Sequence, residues 1–175
     1  NVLWGDYNPS GKLPMTFPQH NGQIPINYQY KSTGRPKENG AWSTKYIDIS
    51  REPAYPFGYG LSYTTFEYSD LKVNDSRQGD VYANVSVNVK NTGKCKGEEV
   101  VQLYIRDEVA SITRPVKELK GFEKISLEPG ETKTVTFDIT DEQLGFYNNN
   151  MDYVVEKGDF TFMVGTNSKE VQSIK

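Results

Sequence analysis

The chain has one cysteine and one histidine in 175 residues. A single cysteine excludes an internal disulfide framework. Cys95 sits in the polar stretch "NTGKCKGEE", which reads as a turn carrying a spare surface thiol. A zinc site takes three or four ligands, so His20 and Cys95 do not make one. No metal and no cofactor is expected. There is little excess charge either: 20 basic against 23 acidic residues, a net of -3. No basic surplus points to nucleic acid. No run of about 18 apolar residues points to a membrane span. No nucleophile elbow, phosphate loop or H-E-x-x-H sequence occurs. No secretory leader opens the chain, which begins at Asn1 without an initiator Met. It reads as the tail of a larger protein.

What is present is unevenly distributed. Residues 1–66 hold seven of the nine prolines and 12 of the 22 aromatics. Prolines there exclude central strands and helix interiors. Sixty residues with almost no regular element are an odd loop for a compact domain. The expectation is a segment lying on a neighbouring domain. Residues 67–175 hold two prolines and 14 basic and 19 acidic residues, against 6 and 4 before the split.

This second part alternates with a step of two. In "DVYANVSVNVKNTG", Val81, Ala83, Val85, Val87 and Val89 are apolar and the residues between are mostly polar. That is a half-buried strand, closed by a turn at Asn91-Thr92-Gly93. "EEVVQLYIRD" puts Val101, Leu103 and Ile105 on one face and Gln102, Tyr104 and Arg106 on the other. "TKTVTFDIT" turns Val135, Phe137 and Ile139 inward, after a turn at Pro129-Gly130. "FEYSDLKV", "VKELKGFEKI", "DYVV" and "GDFTFMVGT" bring the total to about seven strands. The fold class is all-β: an immunoglobulin-like, fibronectin type III-like sandwich behind a long, mostly irregular N-terminal segment. "DEQLGFY" is read as one helical turn before the last hairpin, with Asp141 and Glu142 suited to its first turn.

Glycosidases use two carboxylates. The adjacent pairs are Glu98-Glu99, Asp107-Glu108 and Asp141-Glu142. Neighbours on a strand face opposite ways, so solvated surface is the expectation for each pair. No catalytic residue is assigned. The remaining candidates are aromatic: Trp4, Trp42, Tyr46, Tyr55, Phe57 and Tyr59. Sugars present C–H faces that stack on rings, so such residues suit the rim of a sugar site. Sealing a domain interface is the plainer reading of each. In "YPFGYGLSYTTF", Gly58 and Gly60 allow a tight turn or a close approach, and Pro56 stiffens the entry.

Several stretches, in order, resemble glycoside hydrolase family 3 β-glucosidases, the bacterial periplasmic type above all. They are "NPSGKLPMTFP", "GQIPINY", "TGRP" and "YPFGYGLSYTTFEYS", then "NTGKCKGEEVVQLYIRD", "RPVKELKGFEKISLEPGETKTVTFDIT" and "GDFTFMVGTNS". The resemblance implies a modular parent with a (β/α)8 barrel, an α/β sandwich and a closing fibronectin type III-like domain. It implies residues 1–18 as the end of the α/β sandwich, 19–65 as a linker wrapping on upstream domains, and 66–175 as the β-sandwich. It implies retaining exo-hydrolysis of terminal β-D-glucosyl residues by the parent, with a β-glucoside or oligosaccharide as substrate. It also implies a periplasmic or secreted location. The catalytic Asp and Glu of the family have no counterpart here, so the chain alone is expected to be inactive. Trp42, Tyr46, Tyr55, Phe57 and Tyr59 remain substrate-rim candidates. Relatives of this type often carry Ser-Arg-Tyr where this chain has Thr44-Lys45-Tyr46, and a lysine lacks the planar fork of arginine. A β-xylosidase or broader β-glycosidase parent is the alternative. A stand-alone carbohydrate-binding or adhesion module is the rival from another class.

Overall fold

The computed structural model describes residues 1–34, 46–75 and 78–175. Trp42 and Lys45 lie outside the described residues. Up to residue 65 the described backbone holds only two short 3-10 turns, Val2–Trp4 and Asn21–Gln23. Strands then follow: β1 (Phe66–Asn74), β2 (Ala83–Asn91), β3 (Gly97–Asp107), β4 (Glu118–Leu127) and β5 (Thr132–Ile139). The helical turn α1 (Asp141–Leu144) leads into β6 (Phe146–Tyr147) and β7 (Tyr153–Val154). The last strands are β8 (Phe160–Gly165) and β9 (Val171–Ile174). One antiparallel sheet has the order β1-β2-β5, the other β4-β3-β8-β9. Seven strands thus make the sandwich, and β6 and β7 form a separate small hairpin.

The alternations set the inner faces. Val85, Val87 and Val89 of β2 meet Val101, Leu103 and Ile105 of β3 in one buried cluster. Val135 and Ile139, Phe162 and Val164, and Ile125 and Leu127 complete it. The seventh sandwich strand differs from expectation. "DYVV" pairs only with Phe146–Tyr147, and β9 takes the edge beside β8. β9 is four residues long with two exposed positions at its centre, so it carries no alternation to read.

Local chemistry explains the turns. Asn91 is fully buried. Its Nδ2 donates to the carbonyls of Cys95 at 2.9 Å and Leu127 at 3.0 Å. Its Oδ1 accepts from Thr64 Oγ1 at 2.6 Å and Gly93 N at 3.0 Å. α1 begins with a capping box: Glu142 N donates to Thr140 Oγ1, and Gln143 Oε1 accepts from Thr140 N. A bulge in β1 between Ser69 and Lys72 places Asp70 at φ 54, a conformation that aspartate tolerates better than most residues.

Leu103 is fully buried at the centre of β3. Leu103→Ala is expected to cost about 2–5 kcal/mol, read as a fall in the urea midpoint at unchanged slope.

Candidate functional site

The N-terminal segment is bound to the sandwich along a polar seam. Two stretches of the segment first pair with each other. Leu13 N donates to Tyr59 O at 2.8 Å, Gly58 N to Leu13 O at 2.8 Å, and Phe17 N to Tyr55 O at 2.9 Å. This short ladder then lies on the outer face of β3. Gln102 Nε2 donates to Gly58 O at 3.1 Å and Thr166 O at 2.7 Å, and its Oε1 accepts from Tyr104 Oη at 2.5 Å. Ser168 N donates to Phe57 O at 2.9 Å. Gln102 and Tyr104 do face away from the sandwich core, as the alternation requires, yet both are buried because the segment covers them.

The glycines permit this approach. Gly58 has φ +79, and a Cβ there would lie 2.0 Å from Gln102 Oε1. A Cβ on Gly60 would lie 2.4 Å from Gly11 O. Beside the ladder, Phe57 stacks on Tyr28 with centroids 4.3 Å apart, and both rings meet Tyr104 edge-on at 6.5 and 5.7 Å.

The strongest element of the seam is a buried ion pair. Lys12 Nζ lies 3.1 Å from Glu99 Oε1, with side-chain exposures of 12% and 4%. The same oxygen accepts from Tyr68 Oη at 2.9 Å and Thr166 Oγ1 at 2.6 Å. Lys12 also donates to Thr166 Oγ1 at 2.8 Å. The expectation that Glu98 and Glu99 are both solvated is therefore corrected. Glu98 is half-buried and pairs with Lys124 at 2.6 Å, whereas Glu99 points under the segment. A buried carboxylate needs a cation and further donors, and Glu99 has both. Nearby, Ser10 Oγ donates to Glu98 Oε2 at 3.1 Å, and Asn8 Nδ2 to Lys96 O at 2.9 Å.

Burial raises the pKa of Tyr68 far above its ordinary value, and the adjacent Glu99 charge raises it further. Burial likewise raises Tyr104, with a smaller contribution from Tyr28. Both phenols are donors locked into the seam.

The sequence-derived rim candidates fall in different places. Phe57 is half-buried in the stack with Tyr28. Tyr55 is exposed, with Tyr59 at 5.2 Å and Phe17 at 6.5 Å. Tyr46 is exposed on a separate part of the segment. Trp4 is 85% exposed and Leu3 90%, and Tyr7, Met15 and Tyr63 are exposed as well. Among the described residues no group of three or more His, Cys, Asp and Glu side chains is placed to hold a metal ion. No helix among them is long and apolar enough to cross a membrane. Sequence reasoning missed Lys12, Tyr68, Glu99, Gln102 and Thr166 as partners.

Two outcomes follow from the seam. Lys12→Met leaves the Glu99 charge buried without its cation and is expected to cost about 3–5 kcal/mol. Combining it with Glu99→Gln is expected to cost less than Lys12→Met alone, by urea denaturation. The raised tyrosine values give a pH dependence. A group whose folded pKa exceeds its unfolded one stabilises fully below the unfolded value, about 10 for tyrosine, and that contribution is lost as pH rises further. Stability should therefore fall above about pH 10, with a shallower fall in Tyr68→Phe. Tyrosinate absorbance followed alongside unfolding checks this: protons on the buried phenols should leave only as the protein unfolds.

Comparison with known proteins fits this geometry. Residues 1–63 match the glycosyl hydrolase family 3 C-terminal domain, and residues 99–168 match the fibronectin type III-like domain. The chain is 50% identical over 176 residues to the periplasmic beta-glucosidase of Salmonella typhimurium. That match covers 98% of this chain and 23% of the relative. A putative beta-xylosidase of Formosa agariphila is also 50% identical, over 95% of this chain and 21% of its own length. The crystal structure of a beta-glucosidase from Listeria innocua in complex with isofagomine superposes with a TM-score of 0.91 at 45% identity. It aligns with 99% of this chain and 25% of that one. This chain thus spans about a quarter or less of the length of these relatives. The order of the two matched domains, joined by the seam, places it: the chain belongs to glycoside hydrolase family 3, as the C-terminal region of such a protein.

Proposed function

We propose that this chain is the structural and positioning module of a β-glucosidase that hydrolyses terminal β-D-glucosyl residues in a retaining reaction. The carrying observation is the two-sidedness of the N-terminal segment. Its inner side is pinned to the sandwich through Lys12, Gly58 and Phe57, while Leu3 and Trp4 stand almost fully exposed. Such a face suits burial against upstream barrel and α/β sandwich domains, which carry the catalysis. Residues 1–18 would complete the α/β sandwich and 19–65 would run as the linker between it and the sandwich at 66–175. Many carboxylates here already serve as ion-pair partners: Glu98, Glu99, Glu108, Glu118 and Glu128 each hold a basic side chain. Of the sugar-rim candidates, Tyr46 and Tyr55 are exposed and Tyr59 is half-buried, and these three would edge the parent's sugar site, Phe57 being engaged in the seam.

A β-xylosidase parent is the second reading. It is favoured by two Formosa agariphila relatives named as xylosidases, at 50% and 48% identity. The name of the Salmonella typhimurium relative supports a periplasmic or secreted location.

The purified chain is expected to release no p-nitrophenol from an aryl β-glucoside, and release would contradict the proposal. Leu3→Asp is expected to leave the urea midpoint of this chain unchanged and to lower the thermal midpoint of the complete enzyme. Equal midpoints for the mutant and parent enzymes would show that the face is not an interface.

A further inference from the structure

Between the N-terminal segment and the start of β4 lies a cleft of about 330 Å³ that the seam leaves open. That volume is near the lower end of small-molecule sites, about 300–1,000 Å³. Its walls are aromatic. Tyr30 is 50% exposed and Tyr46 38%, and the Arg51 guanidinium lies 5.7 Å from the Tyr30 ring centre. Its charge is lopsided. Among the described residues, Arg51, Lys117 and Lys169 line it together with one carboxylate, Glu52, which Lys169 pairs at 3.0 Å. The chain as a whole carries a net charge of -3, so this concentration of cations is local.

Lys117 is the unusual member. It is half-buried, and its Nζ donates to Ser168 O at 2.7 Å. Among the described residues no carboxylate forms an ion pair with it. Burial lowers its pKa, as expected for an ammonium that loses water and gains no counter-charge. A half-buried cation of this kind is costly until an anion arrives. The tyrosine rings beside it offer flat apolar faces, and Ser168 and Asn27 add polar groups at the wall.

We propose that this cleft binds an acidic sugar unit, with its carboxylate on Lys117 and its C–H face against the exposed tyrosine rings. A carboxylate answers the cation, and a pyranose ring answers the tyrosines. A neutral sugar would leave Lys117 unpaired, and a small anion would leave the rings unused. The site is tested by binding and not by hydrolysis, so it stands or falls separately from the proposed function.

The test is calorimetric titration of the 175-residue protein with D-glucuronate, D-glucose and acetate at one ionic strength. Saturable binding of D-glucuronate is expected, with D-glucose and acetate each weaker by about tenfold or more. Lys117→Met should weaken D-glucuronate by about tenfold or more, while Lys117→Arg retains it within a few-fold. Tyr30→Ala, at a half-exposed position, should weaken it without changing the fold, with circular dichroism as the check. No saturable binding of D-glucuronate would overturn the proposal. So would equal binding of D-glucose or acetate, or a folded Lys117→Met protein that binds as the parent does.

Discussion

The Glu99 carboxylate is buried under the N-terminal segment, and the groups around it are arranged to make that tolerable. Lys12, Tyr68 and Thr166 converge on its Oε1 within 3.1 Å. An isolated carboxylate there would be prohibitive, whereas one with a cation and two hydroxyl donors is not. The pair joins residues 87 positions apart. It therefore ties a segment without regular structure to a strand in the middle of a sheet. The neighbouring bonds from Gln102 to Gly58 and from Ser168 to Phe57 extend that tie along β3 and the end of β8. Because Gly58 lacks a Cβ, the segment comes close enough for Gln102 to reach its carbonyl.

Much of the sandwich was legible because its signals are local. The alternations of β2, β3 and β5 name their own buried residues, and each residue's face follows from its neighbour's. The helical turn at Asp141 is set within a few positions, whereas the turn at Asn91 also draws on Thr64 and Leu127. β9 was not legible, since a four-residue edge strand with an exposed centre has no pattern. Glu99 was misjudged for a related reason. Alternation turned Glu98 and Glu99 to opposite faces and put Glu99 on the side of Val101 and Leu103, where the fold brings Lys12 and Tyr68 against it. Gln102 and Tyr104 lie on the other face of β3 and carry a different lesson, because a polar outer face and a covered outer face look alike in sequence. Gly58 was read rightly as a point of close approach. Of the ring candidates, Phe57 is half-buried against Tyr28 and Tyr59 is half-buried beside Tyr55, while Tyr46 and Tyr55 are exposed.

The seam also gives the proposed role a physical form. A module that positions other domains needs a rigid inner attachment and an outer face free to bind. The first is polar and buried here, so it is specific in register. The second is apolar and exposed at Leu3 and Trp4. The cationic cleft lies between that segment and Lys117 at the start of β4, and Ser168 borders both it and the seam.

The central claim is that the seam makes the N-terminal segment and the sandwich one cooperative unit. Amide hydrogen exchange on the intact chain tests it most directly. The account predicts that the amides of Leu13, Gly58 and Ser168 are protected comparably to those of β3, and that Lys12→Met lowers their protection first. Exchange of these three amides at the rate of open loops, with β3 still protected, would contradict it.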